Sequence, residues 1–105
     1  MNISHQEPKG DQTDFNILKV DGDKLSKNAV FRFRREGDFI VSFGGRKSLK
    51  KFFNEKKIPV EERAFLPLIA DERGGEVYVI CGVEISQSVK VTTATANVLY
   101  ITLQK

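Results

Sequence analysis

Few side chains in this sequence have the type and spacing to do chemistry. Gly44-Gly45-Arg46-Lys47-Ser48 has the composition of a phosphate loop, but that loop needs Gly directly before Lys and another Gly five residues earlier. Arg46 and Val41 stand in those places. The one His, His5, lies in a polar N-terminal stretch, and the one Cys, Cys81, sits between Ile80 and Gly82 in an apolar run, the setting of an inert buried thiol. One Cys and one His at that separation build no usual structural zinc site, and one Cys forms no internal disulfide. No catalytic residue and no metal ligand is therefore assigned.

The cations carry more information. The chain of 105 residues holds 17 Lys plus Arg against 14 Asp plus Glu, net +3, which is too small a total to name a partner. Residues 32–63 hold ten bases and five acids, net +5, while each flank is net −1. The basic character thus belongs to the middle third. Within it Arg32 and Arg34 alternate with Phe31 and Phe33, so a strand there packs its phenylalanines and presents two guanidinium groups on the opposite face, ~7 Å apart. Over residues 45–59 Leu49, Phe52 and Phe53 fall at i, i+3 and i+4, the apolar stripe of an amphipathic helix. Arg46, Lys47, Lys50, Lys51, Asn54 and Lys57 take the opposite arc. Such a basic roof is either a solvated face that keeps the protein soluble or a phosphate-contacting surface. Arg63 is either a ligand contact or a structural partner of Glu61, Glu62 or a loop carbonyl.

These groups need a scaffold. Residues 1–14 contain little that can be buried and read as a disordered tail or linker remnant, leaving 15–105 as one domain. Strands are predicted at Phe15–Val20, Ala29–Arg35 and Phe39–Phe43, with turns at 21–23 and Glu36-Gly37-Asp38 and a stop at Gly44-Gly45. Pro59 ends the long helix and opens a short one containing Glu61 and Glu62. Leu66–Ala70, the doubly apolar Glu76–Val83, Val89–Thr95 and Val98–Leu103 complete the strands, with Gly82 as a bulge or bend. The fold class is α+β: a mostly antiparallel, β-rich assembly of about six strands with a basic amphipathic helix and a second short helix inserted after the third. Val77–Val83 is too short to span a bilayer, and no apolar signal core follows Met1, so no membrane is expected and the cytoplasm is the default compartment.

Five segments in order resemble one family. They are Arg32-Phe33-Arg34-Arg35-Glu36-Gly37-Asp38; Lys47-Ser48-Leu49-Lys50-Lys51-Phe52-Phe53; Lys57-Ile58-Pro59 with Glu62-Arg63; Leu66-Pro67-Leu68; and Gly82 with Ile85-Ser86. Together, over about Val20 to Leu103, they resemble the C-terminal domain of tRNA(Ile)-lysidine synthetase. Phe39 departs from the pattern, since the family often has Arg directly after Gly-Asp. The resemblance implies a fold similar to a β-rich module of phenylalanyl-tRNA synthetase. It also implies a domain that holds the tRNA body, notably the acceptor stem of an isoleucine tRNA with a CAU anticodon. In the family a separate N-terminal domain, with ATP and magnesium, adenylates the wobble cytidine and joins lysine to it. This chain then binds RNA without performing that chemistry. Arg32 and Arg34 become forked phosphate contacts and Lys47, Lys50 and Lys51 less directional ones, supported by Arg46, Lys57 and Arg63. Gly37, Asp38, Gly44 and Gly45 shape the presenting loops.

Two other readings stand beside this one. The first is an interaction module, a homodimer or a contact to a catalytic domain, using an apolar face near Tyr78, Ile80 or Tyr100. The second is an independent protein for a different structured RNA.

Overall fold

Short apolar runs broken by Gly, Asp and Pro make short strands, and nine of them occur among the described residues. The computed structural model describes residues 2–4 and 15–104, with side chains over 18–101. In chain order the elements are β1 (Asn2–Ser4), β2 (Phe15–Asp21), β3 (Ala29–Arg32), β4 (Phe39–Ser42), β5 (Gly45–Ser48), α1 (Leu49–Glu55), α2 (Val60–Arg63), β6 (Leu68–Asp71), β7 (Glu76–Ile80), β8 (Glu84–Ile85) and β9 (Val98–Gln104). A 3₁₀ turn at Gln87–Val89 precedes β9. The strands form a three-stranded sheet, β1-β9-β2, and a six-stranded one, β3-β6-β7-β4-β5 with β8 also on β7.

Strand β7 is central, as its apolar residues on both faces require. β6 runs antiparallel along one edge. The other edge is shared: β4 pairs parallel with the first half of β7, and β8 returns antiparallel on its end. The β4–β7 pair is thus a parallel element within the mostly antiparallel architecture. Between β6 and β7 the register shifts, Ile69 facing Val79 but Ala70 facing Val77, so Tyr78 is an extra bulged residue. That shift sorts the core. Tyr78 and Val79 both pack with Val20, Ile69 and Ile101 between the two sheets. Val77 and Ile80 instead join Leu49, Phe52 and Phe53 beneath α1. The freed carbonyl of Tyr78 accepts the Ser86 N–H at 2.8 Å.

Gly82 (φ 79°) completes a turn in which the Val83 N–H donates to the Ile80 carbonyl, so its role is a hairpin turn into β8. Cys81 is buried, and desolvation pushes its thiol up to about 11, consistent with an inert group.

Several expectations change. Residues 45–48 are not the first turn of the helix; they pair with β4 as an edge hairpin, and the helix begins only where Ser48 caps it, its Oγ accepting the Lys51 N–H at 3.2 Å. Two helices are present, inserted after the fifth strand. Phe31 and Phe33 do not pack into the core: they are 48% and 57% exposed, because the face that the fold covers is the one carrying Arg32, which bonds Asp38 and the Gly74 carbonyl. Residues 89–95 are not a strand. There Thr92 and Thr95 bond locally, Thr95 Oγ1 accepting the Thr92 N–H at 2.8 Å, which competes with any ladder. Asn2–Ser4, placed in the tail by sequence, pair with β9 as β1, and the rest of that stretch, residues 1 and 5–14, lies outside the described residues. Tyr78 and Ile80 are buried, so they offer no open face to a partner. No helix among the described residues is long and apolar enough to cross a membrane.

Candidate functional site

Charge and topology bring part of the predicted set together and withdraw another part. The turn at Arg35–Asp38 is a reverse turn in which the Asp38 N–H donates to the Arg35 carbonyl at 3.2 Å, with Gly37 at φ 88° where a side chain would be strained. The Phe39 N–H donates to the Gly75 carbonyl at 2.8 Å, and a Cβ on Gly75 would come within 2.8 Å of the Gly37 carbonyl oxygen. This close backbone approach locks the 35–38 turn onto the 71–75 loop.

Arg32 provides the other lock. Its Nη1 and Nη2 donate to the two carboxylate oxygens of Asp38, each at 2.9 Å. Its remaining N–H groups donate to the carbonyls of Asp71, Phe33 and Gly74 at 3.0, 3.0 and 3.1 Å. All five guanidinium protons are used, and the side chain is only 7% exposed. The expectation that Arg32 presents an open fork to phosphate is therefore corrected: it fastens the turn. Asp71 finishes that loop, its Oδ1 accepting the Gly74 and Arg73 N–H groups at 2.7 and 2.9 Å, which hold its carboxyl below the usual range.

Arg63 is corrected likewise. It is buried, its Nε donates to the Ile58 carbonyl at 2.9 Å, and its guanidinium lies 5.7 Å from the ring of Phe53. Of its two readings, the loop-carbonyl partner is the one observed. Lys47 is on β5 and gives its ammonium to Glu55 at 2.6 Å, a bond that lowers the Glu55 carboxyl. Lys57 follows α1 at φ 57°, closing the helix as the Lys57 and Ile58 N–H groups donate to the Asn54 and Phe53 carbonyls.

What remains converges. Arg34, Arg46 and Lys50 line one cleft of about 280 Å³, with Arg35, Gly37, Phe39 and Ser48 among its walls. Arg34 reaches it from the segment after β3, its guanidinium 5.5 Å from the Phe53 ring. Arg46, opposite Val41 on the edge hairpin, lies 4.4 Å from the ring of Phe39. Lys50 and Lys51 stand exposed on α1. Phe43 and Gly44 turn the hairpin, and Gly45 opens β5 at φ 107°. The sequence reading missed Arg35 as a cleft residue and Phe39 as the platform under Arg46. The Arg-Arg pair was a signal for the first, but only the hairpin register places the second. Among the described residues no group of three or more His, Cys, Asp or Glu is placed to hold a metal ion.

Residues 30–102 match the family described as the TilS substrate C-terminal domain. The chain belongs to that family. It is 39% identical over 92 residues to a tRNA(Ile)-lysidine synthase of Clostridium acetobutylicum, covering 86% of this chain and 20% of that protein. To the protein of the same name from Clostridium perfringens it is 41% identical over 90 residues, covering 84% of this chain and 19% of the relative. The chain thus spans about a fifth of the length of these relatives. A crystal structure of a TilS C-terminal domain superposes with a TM-score of 0.64 at 28% identity, covering 97% of this chain and 79% of that one. The α+β fold, with its two helices, is that of the TilS C-terminal domain.

Proposed function

We propose that this TilS C-terminal domain grips the tRNA body, the acceptor stem in particular, through phosphates. The observation that carries the proposal is the convergence of Arg34, Arg46 and Lys50 on one cleft beside Lys51. A-form RNA hides its major groove, so a protein holds it by shape, phosphates and 2′-hydroxyls, and a rigid cationic edge suits that task better than a base-reading pocket. Arg46 and Arg34 supply directional forks, while Lys50 and Lys51 add attraction without directional demand. Arg32 acts one step back, by fixing the turn that carries Arg34 and Arg35.

The ATP- and magnesium-dependent joining of lysine to the wobble cytidine of an isoleucine tRNA with a CAU anticodon is proposed for a part of the protein outside this chain. The cytoplasm is the proposed location. Sedimentation of the 105-residue chain, alone and with that tRNA, tests the reading: a tRNA-dependent shift is expected. A concentration-dependent dimer that ignores tRNA would replace it with the interaction-module reading.

A further inference from the structure

Phe43 is 94% exposed, the most exposed large apolar side chain among the described residues. It stands at the apex of the β4–β5 hairpin, where Ser42 faces Gly45 and the Ser42 hydroxyl donates to the Gly45 carbonyl at 3.2 Å. Two-residue hairpin turns favour Asn-Gly or Asp-Gly. A phenylalanine there serves the turn no better than those residues and leaves an aromatic face in water. A cation lies against the ring. The Lys90 ammonium lies 5.8 Å from the ring centroid, on backbone fixed by a β-bridge to Val20. Arg46 follows three residues later, at most about 11 Å away along the chain. Beside the ring a shallow cleft of about 100 Å³ is lined by Val41, Glu84, Gln87 and Lys90, offering polar groups at the rim of an apolar floor.

We infer that Phe43 is a stacking platform for an unpaired base of the bound RNA, with Lys90 and Arg46 meeting the phosphates on either side of that nucleotide. Stacking on an exposed ring flanked by cations is how proteins hold unpaired nucleotides without reading their sequence. A base laid on Phe43 removes apolar area from water, which solvation by Lys90 alone does not achieve. The inference rests on the RNA-binding reading above and adds an unpaired nucleotide next to the gripped duplex.

The test uses two RNA hairpins with the same stem, one blunt and one with a four-nucleotide 3′ overhang carrying 2-aminopurine, titrated with the 105-residue chain. Wild type should prefer the overhang and alter the 2-aminopurine fluorescence. Phe43→Ala should lose about tenfold in affinity for the overhang RNA and little for the blunt one, while Phe43→Trp retains both affinity and fluorescence change. The inference is overturned if Phe43→Ala binds both RNAs like wild type, if it weakens both equally, or if its effect is to dissolve a self-association that RNA does not influence. In the first case, if substituting Arg46 and Lys50 still weakens binding, the phosphate grip survives and only the stacking is wrong. If those substitutions are also silent, the RNA-binding reading itself has failed.

Discussion

Arg32 and Asp38 face each other fork to fork, two nitrogens against two oxygens at 2.9 Å, and both side chains are almost wholly withdrawn from solvent. The pair is therefore structural. Removing Arg32 would leave a buried carboxylate without its partner, and the three carbonyls it also serves would lose their donor. Arg32→Ala should destabilise the domain by about 3 kcal/mol, and Arg32→Lys should recover little, because an ammonium cannot reproduce the fork. Thermal or urea unfolding monitored by circular dichroism checks this. A wild-type midpoint with weakened tRNA binding would return Arg32 to the role of a direct phosphate contact.

Lys57 occupies the left-handed position that ends a helix, where glycine is the usual residue. Lys57→Gly should raise stability by about 0.5 to 1 kcal/mol by relieving that strain, partly offset by the greater freedom of glycine in the unfolded chain. Chemical denaturation measures it. The same variant, assayed with tRNA, reports the value of the Lys57 charge without the confusion of a damaged fold.

Acid sensitivity has a defined origin at Asp21. Burial works against its charged form, but the Thr95 hydroxyl and the Asp23 and Lys24 N–H groups donate to its carboxylate, and the net effect is a lowered pKa. A folded-state pKa below the unfolded one gives stability that is complete above the unfolded value, about 3.9, and is lost as pH falls through the folded value. Denaturation midpoints should therefore decline below about pH 4, and Asp21→Asn should flatten that decline while lowering stability at pH 7. An unaltered acid profile in the variant would assign the decline elsewhere, Glu55 and Asp71 also having lowered pKa values.

Glu55 holds the Lys47 ammonium at 2.6 Å and so withholds it from solution partners. Glu55→Gln should release that charge and remove a repelling one, tightening tRNA several-fold at low salt with little change in folding, since solvent screens exposed ion pairs. Fluorescence anisotropy with labelled tRNA at two salt concentrations reads the change.

How much of this was legible beforehand depended on whether the pattern was local. The aromatic underside of α1 followed from spacing at 49, 52 and 53, and all three residues are buried. The start of that helix did not, because the amphipathic arc ran back through Arg46 and Lys47 into a segment whose better option was a Gly-Gly hairpin with β4. Ser48 was the available signal, a capping residue just before the apolar run. Alternation at 31–34 correctly separated the phenylalanines from the arginines. It could not say which face the fold covers, because that depends on Asp38 and on the 71–75 loop brought alongside by β6. The bulge at Tyr78 was equally hidden, since it arises from how two strands align across a turn.

If the cleft lined by Arg34, Arg46 and Lys50 grips RNA phosphate, tRNA binding depends on salt through those side chains. Wild type and Arg46→Ala/Lys50→Ala would be compared from about 50 to 200 mM salt, with folding confirmed by circular dichroism. Each lost phosphate contact should shallow the plot of log affinity against log salt by about 1, so the double variant should bind more weakly with a slope reduced by about 2. An unchanged slope in a folded variant would contradict the account.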